Sequence, residues 1–196
     1  MTQIPFAEPF ALFAEWFAAA KAREPGDPEA MSLATATRDG LPSSRIVLLR
    51  GVDERGFVFF TNYDSRKGQE LFANPRAALG FHWKSLKRQI RIEGRAETVS
   101  EAEGDAYFAA RARISQIGAW ASDQSRPLDS RATFERRLAE MEARFIDRPV
   151  PRPPRWSGFR VVPDLIEFWD DRPFRLHDRI VYRREGEGWT TFRLYP

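Results

Sequence analysis

The densest chemistry in this chain lies in Phe168–Arg179, reading Phe-Trp-Asp-Asp-Arg-Pro-Phe-Arg-Leu-His-Asp-Arg. Read as a strand after Pro173, its period of two sets Arg175, His177 and Arg179 on one face and Phe174, Leu176 and Ile180 on the other. Two guanidiniums flanking an imidazole suit an anionic, hydrogen-bonding ligand. The guanidinium fork pairs with phosphate or carboxylate, and the ring donates, accepts or carries a proton near neutral pH. The alternative is an exposed edge whose charges keep it soluble.

Other stretches carry related chemistry. Asn62-Tyr-Asp-Ser-Arg-Lys-Gly68 leads into a short helix that Asp64 or Ser65 can cap. Arg66 and Lys67 in its first turn oppose the helix dipole, a cost that a bound phosphate would reverse because free N–H groups and both cations would converge on it. A solvated helix end is the plain alternative. Arg45 and Arg50 bracket the apolar run Ile-Val-Leu-Leu; one unbulged strand would aim them at opposite faces, serving two anionic sites or simply reaching water. Tyr107, Arg111 and Ser115 recur at intervals of four, so a helix extending that far stacks a phenol, a guanidinium and a hydroxyl, either to hold a phosphate or as a half-exposed face. Gln89 falls on the polar face of a strand, with Arg91, Glu93 and Arg95, where an amide could read a heterocycle edge. His82, between Phe81 and Trp83, reads as a structural histidine.

The elements that position these residues follow from pattern. Phe6, Phe10, Phe13, Trp16 and Phe17 mark an amphipathic helix over 6–22, closed by Glu24-Pro-Gly-Asp-Pro28. Strands are expected at 31–37, 44–50, 57–61, 77–83, 88–99, 158–162, 165–169, 174–183 and 189–194, with Asp39-Gly40 and Asp53–Gly56 as turns. Ser100-Glu-Ala-Glu103 has the form of a capping box. Residues 116–125 read as a loop rich in hydrogen-bonding groups, and Ser130 caps a helix that buries Phe134, Leu138, Met141 and Phe145. At least seven short antiparallel strands with hairpin turns indicate a barrel with helices packed outside it. The division is an N-terminal helix and loop (1–26) and one domain (27–196).

Composition narrows the function classes. With 196 residues, 42% hydrophobic and 30% charged, the chain suits one soluble core. It has no cysteine, which removes disulfides, thiolate catalysis and cysteine-ligated metals and sits well with a reducing cytoplasm. No apolar run approaches a membrane span, so a cytoplasmic protein is expected. Thirty-one basic residues against 28 acidic ones give a net charge of +3, mostly interleaved, which favours small anions over nucleic acid.

Taken together, Arg45–Arg50, Phe60-Thr-Asn62, Ser65-Arg-Lys67, Arg88-Gln89, Ser115–Trp120, Gln124-Ser125, Ile166–Trp169 and Arg175-Leu-His-Asp-Arg179 resemble the pyridoxamine 5′-phosphate oxidases, in order and from about Asp27 to Pro196. The resemblance implies an FMN-binding split β-barrel that forms a homodimer, with flavin mononucleotide at the subunit interface. It implies oxidation of pyridoxine or pyridoxamine 5′-phosphate to pyridoxal 5′-phosphate, oxygen being reduced to hydrogen peroxide. It assigns flavin contacts to Arg45, Ile46, Val47, Leu48, Leu49, Phe60, Thr61, Arg66, Lys67, Gln89, Gln124, Ser125, Trp169 and Arg179. Substrate contacts fall on Arg50, Tyr107, Arg111, Ser115, Arg175, Leu176 and His177, with Arg175 and His177 as the catalytic pair, and no metal is required. The sequence departs from the family pattern in Arg50 where lysine is frequent, in Phe60 where tyrosine is common, and in lacking an Arg-Arg-x-Tyr segment near its start. The competing expectation is a split-barrel carrier that binds flavin or pyridoxal phosphate without turnover.

Overall fold

The structure, a computed structural model, describes residues 7–196; Phe6, the first aromatic of the expected N-terminal stripe, lies outside them. Helix α1 spans Glu8–Arg23, with proline in its first turn and Lys21 and Arg23 in its last, each placed where helix ends favour it. It buries Phe10, Phe13, Trp16 and Ala20. Phe13 is fully enclosed, its ring edge-on to Phe57 at 4.9 Å and to Phe81 at 5.5 Å. Glu24, just after the helix, accepts the backbone N–H of Lys84 and Ser85 and so ties α1 to the far end of the sheet.

The strands are β1 (Ala30–Ala36), β2 (Pro42–Leu48), β3 (Gly51–Asp53), β4 (Gly56–Asn62), β5 (Arg76–Trp83), β6 (Arg88–Thr98), β7 (Trp156–Asp170), β8 (Asp178–Glu185) and β9 (Gly188–Arg193). All pair antiparallel in the order β2-β1-β5-β6-β7-β4-β3, with β8 and β9 added beside β7. Helix α2 (Arg66–Ala73) joins β4 to β5, and α3 (Glu101–Ala109), α4 (Arg113–Ala121) and α5 (Arg131–Arg144) lie between β6 and β7. The barrel core gathers Met31, Leu33, Phe57, Phe59, Phe81, Ile90, Ile92, Phe159, Ile166 and Phe168 with the face of α1. A smaller outer cluster, Phe108, Ile117, Phe145, Val150 and Trp156, glues α3, α4 and α5 to the start of β7. The antiparallel barrel with outer helices expected from the strand count is what forms.

Strand β7 organises the sheet. Its first half pairs with β4, its second half with β8, and β6 runs along its other edge. The two strands expected at 158–162 and 165–169 are this single strand, because a bulge at Asp164 absorbs Pro163. The β6–β7 register shifts between Glu93 and Gly94, and a Cβ at Gly94 would stand 2.0 Å from the Val162 carbonyl oxygen.

Six other expectations change. Strand β8 starts at Asp178: Pro173–Arg175 form one 3₁₀ turn in which Phe174 and Arg175 take φ of 60° and 62°, a left-handed pair that no pleat accommodates. The alternation over 174–179 therefore fails. Strand β2 ends at Leu48, so Arg45 and Arg50 are not on one regular strand. The helix over Tyr107–Ser115 is broken at 110–112, where Ala112 turns extended, and most of the expected 116–125 loop is α4. His82 is exposed on the outer face of β5, and Phe134, Leu138 and Met141 are only half-buried because α5 rides outside the barrel; Phe145 alone of that stripe is buried. Among the described residues no helix is long and apolar enough to cross a membrane.

Candidate active site

A cavity of about 460 Å³ opens between β2, β4, α2 and α3. Strand β2 is an edge of the sheet, so Arg45, Ile46, Val47 and Leu48 all line the cavity along its unpaired side. Arg50, beyond the end of β2, enters the same space, which answers the question of two faces: both arginines serve one cavity. From β4 come Phe60, Thr61 and Asn62, and from α2 comes Lys67.

Lys67 is the informative cation. It is 8% exposed, and among the described residues its Nζ meets the Thr61 and Ser65 hydroxyls, at 3.3 and 3.4 Å, and no carboxylate in salt-bridge range. Burial pushes its pKa below the ordinary lysine value and the Arg45 charge pushes it further, while Glu70 partly opposes them. Ser65 caps α2 through the Gly68 N–H, and the first N–H groups of the helix, those of Arg66 and Lys67, have no intrahelical acceptor. Helix α2 is pressed close: a Cβ at Gly68 would sit 2.3 Å from the Tyr63 carbonyl oxygen.

Beneath these cations lies Glu70, 5% exposed. Its Oε2 accepts from Thr35 Oγ1 at 2.5 Å, Ser43 Oγ at 2.6 Å and Arg45 Nη2 at 3.3 Å, and its Oε1 accepts from Arg66 Nε at 2.8 Å. Burial would raise its pKa, but the hydrogen bonds from Ser43, Thr35, Arg66 and Arg45 outweigh it and hold the carboxyl at about 2. Arg66 is turned onto Glu70 and its side chain is 57% exposed, outside the cavity wall.

The opposite wall is aromatic. Phe60 stacks on Tyr107 with centroids 3.9 Å apart and on Trp156 at 5.7 Å, and the Arg111 guanidinium lies 4.6 Å over Trp156. Arg111 Nη1 is buried without a hydrogen-bond partner. Burial lowers the Arg111 pKa, the Tyr107 charge opposes that, and nearby Arg50 adds to the lowering. Arg111 also faces a second, smaller cavity of about 280 Å³ with Ser115 and Gln124, so the broken helix still brings Tyr107, Arg111 and Ser115 to one region. Gln124 Oε1 accepts from Thr61 Oγ1 at 3.1 Å and from the Asn62 N–H at 3.3 Å, joining the loop after α4 to β4.

A second cluster forms at the other end of β7. Gln89, Trp169 and Arg179 are register neighbours across β6, β7 and β8. The His177 ring lies 4.4 Å from that of Trp169, and His177 Nδ1 is 3.0 Å from Asp171 Oδ1. His177 Nδ1 also accepts the Arg172 backbone N–H at 3.3 Å, so the ring is held from the loop that precedes β8. Arg179 donates to buried Glu167 at 2.7 Å and to the Tyr195 carbonyl at 3.0 Å. Arg175 and Leu176 are exposed, and Phe174 is 92% exposed.

Comparison with known proteins decides the family. Residues 18–145 match the family described as Pyridoxamine 5′-phosphate oxidase, and residues 156–196 match the Pyridoxine 5′-phosphate oxidase C-terminal dimerisation region. The chain belongs to the pyridoxamine 5′-phosphate oxidase family. It is 64% identical over 200 residues to the pyridoxine/pyridoxamine 5′-phosphate oxidase of Gluconobacter oxydans, covering 100% of both chains, and 62% identical over 201 residues to that of Rhodospirillum rubrum, again over both full lengths. Among solved structures, PhzG from Burkholderia lata 383, in complex with tetrahydrophenazine-1-carboxylic acid, superposes with a TM-score of 0.90 at 38% identity, over 96% of this chain and 92% of that one. A pyridoxamine 5′-phosphate oxidase-related, FMN-binding protein from Nostoc punctiforme shares the fold, with a TM-score of 0.77 at 17% identity over the whole of both chains. The fold is thus the split barrel of this family.

Set against the family pattern, the residues divide into two groups. Arg45–Leu48, Arg50, Phe60, Thr61, Lys67, Tyr107, Arg111 and Gln124 share the first cavity, and Ser115 lies in the adjoining one. Gln89, Trp169, Arg179, His177, Leu176 and Arg175 lie apart from it within one chain. Leu49 points into the barrel core, and Ser125 is exposed beside Gln124 with φ of 71°. Sequence reading missed Glu70, Thr35, Ser43 and Trp156. Glu70 had a local signal, a carboxylate one helical turn after Arg66; Trp156 had none, since only the fold brings it under Arg111.

Proposed function

We propose that this chain is a homodimeric oxidase of pyridoxine and pyridoxamine 5′-phosphates, yielding pyridoxal 5′-phosphate, and that each flavin site is completed by the partner subunit. The observation that carries the reading is a cavity walled by Arg45, Arg50, Lys67 and Arg111, in which the buried Lys67 ammonium meets two hydroxyls but no anion and Arg111 Nη1 is buried without a hydrogen-bond partner. Such groups are costly unless an anion meets them, and a phosphate monoester is the complementary ligand.

The residues fit flavin mononucleotide. Lys67, Arg45 and the α2 N–H groups would hold its phosphate, and the unpaired edge of β2 would face the ring system. Bound there, the flavin supplies a two-electron acceptor that oxygen regenerates with release of hydrogen peroxide. Arg111, with Tyr107, Ser115 and Arg50, would grip the substrate phosphate; its guanidinium sits over the Trp156 ring and its Nη1 is unpaired. His177, held by Asp171 and Trp169, and Arg175 would orient the pyridine ring so that its C4′ hydrogen faces the acceptor.

The two groups sit at opposite ends of β7. Trp156 and Trp169 are separated by about 40 Å of strand contour at roughly 3.3 Å per residue. A second chain that sets its Trp169–His177 end against the first chain's cavity closes that gap, in keeping with the dimerisation region at 156–196 and with exposed Ile46, Phe174 and Leu176. The test is the visible spectrum of flavin-loaded protein before and after adding pyridoxine 5′-phosphate without oxygen. Bleaching, reversed by air with pyridoxal phosphate appearing, is expected; a flavin band that ignores the substrate would make the protein a carrier.

A further inference from the structure

We infer that Glu70 is a positioning residue of the anion pocket: from beneath the cavity its carboxylate fixes the Arg45 guanidinium and sets the charge that the pocket presents to a phosphate. This rests on reading that pocket as the site of the flavin phosphate.

The geometry is a closed ring. Thr35 and Ser43 each donate a hydroxyl hydrogen to Glu70 Oε2. The same two hydroxyl oxygens accept from Arg45, Thr35 from Nη1 and Ser43 from Nη2 at 2.5 Å. The carboxylate thus fixes the direction in which both hydroxyls point, and their lone pairs fix the plane of the guanidinium. Arg45 Nη1 also donates to the Leu33 carbonyl at 3.3 Å, anchoring the group to β1. On its other oxygen Glu70 holds Arg66 across one helical turn. Four donors converge on one buried carboxylate, and no single hydrogen-bonding partner of a neutral side chain can replace it. On the cavity wall Arg45 and Lys67 exceed Glu70 beneath it by one positive charge, a balance that favours an anion.

Two effects of removing the charge have opposite signs. By Coulomb attraction alone, Glu70→Gln makes the pocket more positive and tightens phosphate binding. By positioning, the amide offers one acceptor oxygen and turns an N–H₂ group toward donors, so Arg45 and both hydroxyls lose their orientation and phosphate binding weakens. The closed ring favours the second effect, because Arg45 has no other carboxylate partner among the described residues.

The experiment titrates full-length apoprotein with flavin mononucleotide and, separately, with riboflavin, which lacks the phosphate, following flavin fluorescence. Glu70→Gln is expected to weaken flavin mononucleotide binding by about tenfold or more, the worth of one charge-assisted hydrogen bond, with riboflavin binding unchanged. Unchanged or tighter flavin mononucleotide binding overturns the inference, and so does equal loss of both ligands, which would make Glu70 a folding residue. Lys67→Met, titrated in parallel, tests the underlying reading. If it leaves the ratio of the two affinities at the wild-type value, the phosphate assignment itself falls; if it shifts the ratio while Glu70→Gln does not, only the role of Glu70 falls.

Discussion

Replacing Lys67 by methionine separates what a buried ammonium costs from what it does. Methionine matches the length of the lysine stem, so the change removes charge with little change in packing. In the apoprotein the ammonium is 8% exposed and has two hydroxyls for company. Its folded pKa lies below the unfolded 10.5, chiefly from burial, so the unfolded chain binds this proton more tightly than the folded one. Lys67 therefore destabilises the apoprotein at neutral pH, and the penalty fades as pH rises through the folded pKa toward 10.5. Lys67→Met apoprotein should resist urea at least as well as wild type at neutral pH, and the difference should shrink in alkaline buffer. Ligand binding should move the other way. One charge-assisted hydrogen bond to phosphate is worth about 1.5–3 kcal/mol, a loss of about 10- to 150-fold in affinity for flavin mononucleotide. Urea denaturation at two pH values and fluorescence titration of the same preparations read both quantities. A variant less stable than wild type that binds the flavin phosphate as well as before would refute the reasoning on both counts.

Arg111→Leu removes the unpartnered buried Nη1 and should raise KM for the phosphorylated substrates by about tenfold or more in steady-state oxygen uptake, leaving the retained flavin in place. His177→Ala or Arg175→Ala should cut turnover while the purified protein stays yellow; loss of flavin from either would reverse their assignment to the substrate. Gly94→Ala places a Cβ 2.0 Å from the Val162 carbonyl and should lower stability by about 1–3 kcal/mol, seen as a lower urea midpoint, because the bulge that seats Pro163 must open.

How much of this was legible in the sequence depended on how local the cause was. Ser65, Ser100 and Ser130 cap helices as their surroundings indicated, because a cap is settled within one turn. The hairpin at Asp39-Gly40 was equally plain, since Gly40 takes φ of 89° there. Where tertiary structure intervened, pattern failed. Alternation at 174–179 reads as a strand until Phe174 and Arg175 turn left-handed, and 158–169 reads as two strands until the bulge opposite Gly94 lets one run through. The site divided in the same way. Residue types at 45–50, 61–67 and 107–115 announced an anion, whereas the Glu70 ring joins β1, β2 and α2 and exists only after they pack. That Arg45 and Arg50 share one cavity follows from the end of β2 at Leu48, which no periodicity marks.

The aromatic face of α1 also has a consequence for biosynthesis. Phe10, Phe13 and Trp16 are made first, but several of their partners come last: Phe10 meets Trp189, Trp16 meets Phe168, and Glu8 accepts the Tyr182 hydroxyl across 174 residues. At about 5–20 residues per second, a ribosome needs roughly 9–35 s to deliver that last partner. Through that interval the nascent helix lacks the C-terminal partners that complete the cover of Phe10 and Trp16, and partly uncovered aromatic surface is what chaperones hold and what aggregates when crowded. Expression at lower temperature or with added chaperone capacity should therefore raise the soluble yield of this chain more than that of a barrel whose first element packs on its neighbours in sequence.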